Sequence, residues 1–134
     1  MSKTKSRETA MKMLFASSLG GDYSADVFDD PIDASLMNEK DSSFCQTIVE
    51  GVKAHTKEIQ DAISEYAQGW SIDRIGKVEL CILEIAVFEI LFLPEVPVGA
   101  SVNEAVELAK TYCDDKSPAF INGILGSIGR KYRS

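Results

Sequence analysis

The sequence predicts an all-α fold of about six or seven helices in one domain, on three observations. Apolar residues recur at spacings of three and four, strand-like alternation is scarce, and helix start and stop residues punctuate the pattern. The 134 residues are 45% hydrophobic and 26% charged, enough for one core and too few for two independent enzymes.

The first helix carries Met11, Leu14, Phe15 and Leu19 on one face, and Gly20-Gly21 is its expected stop. Residues 22–41 follow with seven acids, one base (Lys40) and Pro31, which reads as an exposed loop or short helical connection. From Ser42 one long helix is expected toward Gly69, with Phe44, Ile48, Val52, Ile59, Ile63 and Tyr66 on a stripe that includes His55. Asp41, Ser42 or Ser43 is its candidate cap. A turn at Gly69-Trp70-Ser71 leads to a short helical piece over Ile72 to Gly76. The segment from Val78 to Leu93 is apolar nearly all round, so it should be the central helix. Pro94 and Pro97 stop it, and Ser101-Val102-Asn103-Glu104 reads as a capping box opening the next helix. Ser117-Pro118 marks the start of the last one. Gly123, Gly126 and Gly129 sit in that helix without the preceding strand a nucleotide loop requires, so they are read as sites of close helix packing.

Charge is unevenly spread. The net charge is −7, yet residues 1–12 carry +3 and residues 130–134 another +3, so half of the 14 cations lie at the chain ends and the body is strongly acidic. A basic edge suits phosphate and an acidic body suits a basic protein; the plainer alternative is solvated termini. The 14-residue greasy stretch from Leu80 to Leu93 is interrupted by Glu84 and Glu89, and the N-terminus lacks the apolar run of a signal peptide. The expectation is a soluble intracellular protein.

Candidate chemistry is sparse. Cys45, Cys81 and Cys113 are 36 and 32 residues apart, which suits buried thiols better than zinc ligation or a disulfide framework. His55, the one histidine, lies on an apolar stripe and reads as structural. Neither a metal site, a cofactor motif nor a nucleophile–base pair is expected, so an enzyme is not.

Several blocks in order point to a family. Val98-Gly99-Ala100-Ser101-Val102-Asn103-Glu104-Ala105-Val106-Glu107-Leu108-Ala109-Lys110 is followed, with nine residues between, by Phe120-Ile121-Asn122-Gly123-Ile124-Leu125. This resembles the "INEAVELAK" and "FVNGVL" signatures of the transcription antitermination factor NusB family. Val49-Glu50-Gly51-Val52, the run from Trp70 to Glu89, and Arg7-Glu8-Thr9-Ala10-Met11-Lys12-Met13-Leu14-Phe15 are similar to further family blocks. The likeness spans almost the whole chain apart from residues 20–43.

The resemblance implies one NusB-like RNA- and protein-binding domain over residues 1–134. Its two packed three-helix sub-bundles would cover about 1–69 and 70–134. It implies a non-catalytic cytoplasmic factor that binds boxA-type single-stranded RNA together with ribosomal protein NusE, within the RNA polymerase antitermination complex and chiefly in ribosomal RNA operons. Some relatives form a homodimer. A helical adaptor with weak or lost RNA binding is the alternative. By the same resemblance, Lys3, Lys5 and Arg7 would touch RNA phosphates, with Phe120 and Asn122 beside the RNA surface. Phe120 would either stack on a base or fill the core. Asp73 and Glu79 would face NusE. The chain departs from the family pattern at Glu84, Lys116 and Gly126.

Overall fold

A computed structural model describes residues 3–19 and 38–133. The expected stop at Gly20-Gly21 and most of the acidic connection, residues 22–37, lie outside the described residues. Six α-helices are described: α1 (Thr4–Ser18), α2 (Glu39–Ala54), α3 (Thr56–Tyr66), α4 (Lys77–Phe92), α5 (Val98–Tyr112) and α6 (Ser117–Arg133). A 3₁₀ turn, Ile72–Arg74, precedes α4, and no strand occurs among the described residues.

The greasy segment is indeed central. α4 packs against every other helix, and all ten residues from Cys81 to Ile90 are buried. Around it lies one continuous apolar cluster drawn from all six helices. Two glycines permit the closest approaches. A Cβ on Gly51 of α2 would run into the Phe88 ring of α4, and one on Gly129 of α6 would lie 2.8 Å from Val98 Cγ1 of α5. Gly123 faces open space and Gly126 only the end of Arg130, so of the three α6 glycines Gly129 alone serves close packing.

Local boundaries differ from the sequence expectations in three places, each for a visible reason. The expected long helix from Ser42 to Gly69 is two helices, broken at His55 (φ −123°, ψ 25°). There the Thr56 hydroxyl donates to the Val52 carbonyl (2.8 Å), and the His55 ring stacks on Phe92 at 4.1 Å between centroids. The α2 cap is Asn38, whose Oδ1 accepts from the Asp41 amide at 2.8 Å. The capping box at Ser101 does not form, because α5 already starts at Val98 with the Pro97 carbonyl accepting from Ala100 and Ser101. Ser101 and Glu104 instead point sideways, toward α4 and α1.

Arg133 closes the other end of α4. Its guanidinium donates to the carbonyl of Ile90 (2.9 Å) in the last turn of α4, and to those of Leu93 (3.0 Å) and Val96 (2.6 Å) in the connection to α5. One of the terminal cations is thereby engaged inside the fold.

Candidate functional site

The start of α1 gathers three of the predicted residues, facing different ways. Helical spacing places Arg7 in line with Ala10, Met11 and Leu14, all buried, so its guanidinium enters the interior. It is 6% exposed and forms a two-pronged pair with Glu89, Nε to Oε2 at 2.9 Å and Nη2 to Oε1 at 2.7 Å. Glu89 is fully buried and also accepts from Ser101 Oγ at 2.9 Å, and Arg7 Nη1 reaches Glu104 Oε1 at 3.3 Å. Burial alone would lower the Arg7 pKa. The Glu89 hydrogen bonds and the charges of Glu89 and Glu104 outweigh burial, so the net shift is upward and the proton is held more firmly. The Arg7 guanidinium is thus engaged with acids of the interior, unlike Lys3 and Lys5.

Lys3 and Lys5 stay at the rim. Lys3 Nζ sits 4.6 Å from the centre of the Phe44 ring, and Lys5 pairs with Glu8 at 3.3 Å with its side chain about one-third exposed. Glu8 in turn accepts from the Tyr112 hydroxyl at 2.8 Å, which ties α1 to α5. Lys12 is 2% exposed and lies over the Tyr112 ring, at 5.7 Å from its centroid. Lys131 pairs with Glu65 at 2.7 Å. Much of the terminal positive charge thus neutralises buried or neighbouring acids.

A second feature lies where the 3₁₀ turn, the start of α4 and the α5–α6 loop meet. A groove of about 210 Å³ is lined by Trp70, Arg74, Glu79, Lys116, Ser117 and Phe120, among others. Trp70 is 52% exposed and meets half-buried Phe120 edge-on, with 6.2 Å between ring centroids. Phe120 therefore both packs on the core and shows an edge to solvent. The local acids are engaged. Asp114 Oδ1 accepts from the amides of Lys116 (2.9 Å) and Ser117 (3.2 Å), capping α6, and Glu79 Oε2 accepts from Ser117 Oγ (2.9 Å). The Lys116 amide, followed by the Ser117 hydroxyl, pulls the Asp114 pKa down. Arg74 and Lys116 are exposed and make no side-chain hydrogen bond or ion pair among the described residues. The result is an aromatic edge flanked by two open cations.

Glu79 and Phe120, expected to meet different partners, share this groove. Asp73 and Asn122 are exposed but do not line it. Asn122 lies about 200° around α6 from Phe120, since a helix turns about 100° per residue. Trp70, Arg74 and Lys116 were not among the predicted site residues. An exposed tryptophan in a Gly-Trp-Ser turn was the available signal.

None of this amounts to reaction chemistry. Burial pushes the thiols of Cys81 and Cys113 up to about 12, with nearby carboxylates adding to the effect, so neither is a ready nucleophile. No group of three metal-ligating side chains occurs among the described residues. No described helix is long and apolar enough to cross a membrane.

Comparison with known proteins identifies the family. The model of the NusB family matches residues 4–130. The chain belongs to the NusB family. The transcription antitermination protein NusB of Clostridium botulinum (strain Alaska E43 / Type E3) is 41% identical over 133 residues, covering 98% of this chain and 100% of that protein. The one from Clostridium novyi (strain NT) is 38% identical over 131 residues, covering 96% and 98%. Among solved structures, T. maritima NusB aligns over 100% of this chain and 94% of its own at 27% identity and a TM-score of 0.86. A complex of antitermination factors NusB and NusE with double-stranded RNA aligns over 96% of both chains, at 29% identity and a TM-score of 0.81. As a NusB-family chain this is a transcription antitermination protein, a binding factor and not an enzyme.

Proposed function

We propose that this NusB-family chain binds boxA-type single-stranded RNA together with ribosomal protein NusE, in the cytoplasm, as part of the RNA polymerase antitermination complex and chiefly in ribosomal RNA operons. Lys3 and Lys5 at the start of α1 would meet phosphates. Phe120, with Trp70 beside it, would offer a stacking edge, and Asn122 would add a polar contact along α6. Arg7 enters this scheme as a support of α1. Asp73 and Glu79, on and after the 3₁₀ turn, would face the basic partner, where complementary charge speeds encounter and sets orientation. Sub-bundles over residues 1–69 and 70–134 belong to the same proposal.

The observation that carries the reading is the groove. An exposed tryptophan edge-on to a half-buried phenylalanine, with two open cations and next to locked carboxylates, suits a nucleotide base and its phosphate. The NusB–NusE complex that this chain resembles contains double-stranded RNA, so strand state belongs in the test. Filter binding of a boxA-type strand, a scrambled strand and a duplex, each with and without NusE, separates the cases. Retention of the boxA-type strand, strengthened by NusE, supports the proposal. One observation favours the adaptor reading: Arg7, Lys12 and Arg133 are engaged inside the fold, which leaves a thin cationic edge. Failure to retain any RNA in either condition selects the adaptor.

A further inference from the structure

We infer that two acids, Glu104 and Glu89, position the RNA-binding end of α1, acting through Thr4 and Arg7 without touching RNA. The inference rests on the proposal that Lys3 and Lys5 meet phosphates. Its starting point is a missing cap. Lys3, at the N-cap position of α1, makes no side-chain capping bond, and the first turn holds no acid. Such an end, with amides left unpaired, frays readily.

Tertiary tethers take the place of the cap. Thr4 Oγ1 donates to Glu104 Oε1 at 2.6 Å, and Arg7, one turn on, donates to the same oxygen at 3.3 Å. Ser6 Oγ donates to the Asp41 carbonyl at 2.8 Å. The two bonds from Arg7 to fully buried Glu89 anchor the turn to α4, and Ser101 holds that carboxylate from α5. Lys3 and Lys5 flank Thr4, so the tether through Glu104 fixes where both ammonium groups leave the surface. Holding them in place before RNA arrives reduces the ordering cost of binding.

The two effects of removing Glu104 have opposite signs, which makes a sharp test. Deleting an acid beside a phosphate-binding edge should tighten RNA binding on electrostatic grounds. Losing the tether should weaken it. The experiment titrates a boxA-type RNA oligonucleotide into the full chain with NusE present, for wild type, Glu104→Ala, Glu104→Gln and Lys3→Ala/Lys5→Ala. The Glu104 side chain lies at the rim of the network, 19% exposed and not in the apolar core, so its variants should fold, and a thermal melt checks this. Glu104→Ala should weaken binding about five-fold, the scale of one lost hydrogen bond. Glu104→Gln, which keeps the acceptor, should bind at least as well as wild type. Amide hydrogen exchange over residues 7–10, beginning with the Arg7 amide that bonds back to the Lys3 carbonyl, should quicken in Glu104→Ala alone, a readout independent of RNA.

Unchanged or tighter binding by Glu104→Ala, or equal weakening by alanine and glutamine, overturns the positioning role while leaving the cationic edge intact. No loss in Lys3→Ala/Lys5→Ala refutes the edge itself and takes the positioning role with it.

Discussion

Replacing Arg7 with alanine should destabilise the fold by about 3–5 kcal/mol, the range for breaking one side of a buried ion pair. Solvent screening offers no relief, because the paired side chains are only 7% and 1% exposed. After the substitution Glu89 keeps the Ser101 hydroxyl as its remaining neighbour in the network. Against a total stability of about 5–15 kcal/mol, the loss is a fifth or more. Urea unfolding followed by circular dichroism at fixed pH measures it. The double variant Arg7→Met/Glu89→Met removes both charges and leaves Ser101 without its acceptor, at about 1 kcal/mol. It should therefore recover most of the loss. A cost below about 1 kcal/mol for Arg7→Ala, the scale of an exposed ion pair, would refute the buried pairing. Arg7 would then return to the set of surface cations.

Three further outcomes follow from the same geometry. Burial pushes the pKa of Glu84 up, against a hydrogen bond from Gln60 that acts the other way, so its favourable contribution exists below the unfolded carboxylate range and is lost as pH rises through the folded value. Glu84→Gln should therefore stabilise the protein at pH 8 and match wild type near pH 4, as read by chemical unfolding at both. Gly129→Ala should cost about 1–3 kcal/mol through its clash with Val98, whereas Gly123→Ala, facing open space inside a helix, should be neutral or stabilising by up to about 1 kcal/mol; equal effects in thermal melts would refute the packing assignment. Lys3→Ala/Lys5→Ala should flatten the salt dependence of RNA binding, by about 0.7 in log–log slope for each phosphate that is no longer neutralised.

What the sequence conveyed depends on the range of the interaction. The central position of α4 was legible because ten consecutive buried residues leave no polar face to read otherwise. The break at His55 was not, since the apolar stripe continues across it and only the Thr56 hydroxyl interrupts the helix. Ser101 and Glu104 have capping-box spacing, but their partners Glu89, Thr4 and Arg7 lie 12, 100 and 97 residues away, so local reading assigned them the wrong task. The inward face of Arg7 was readable from its alignment with Ala10, Met11 and Leu14. The groove was not, because residues 70–79 and 114–120 meet only through the packing of α4 against α6.

The most direct measurement is a pair of calorimetric titrations, boxA-type RNA into this chain with and without NusE, and NusE into it with and without the RNA. If both ligands engage the chain as proposed, each should raise the affinity for the other by the same factor. RNA binding that is absent, or that NusE leaves unaltered, would contradict joint recognition.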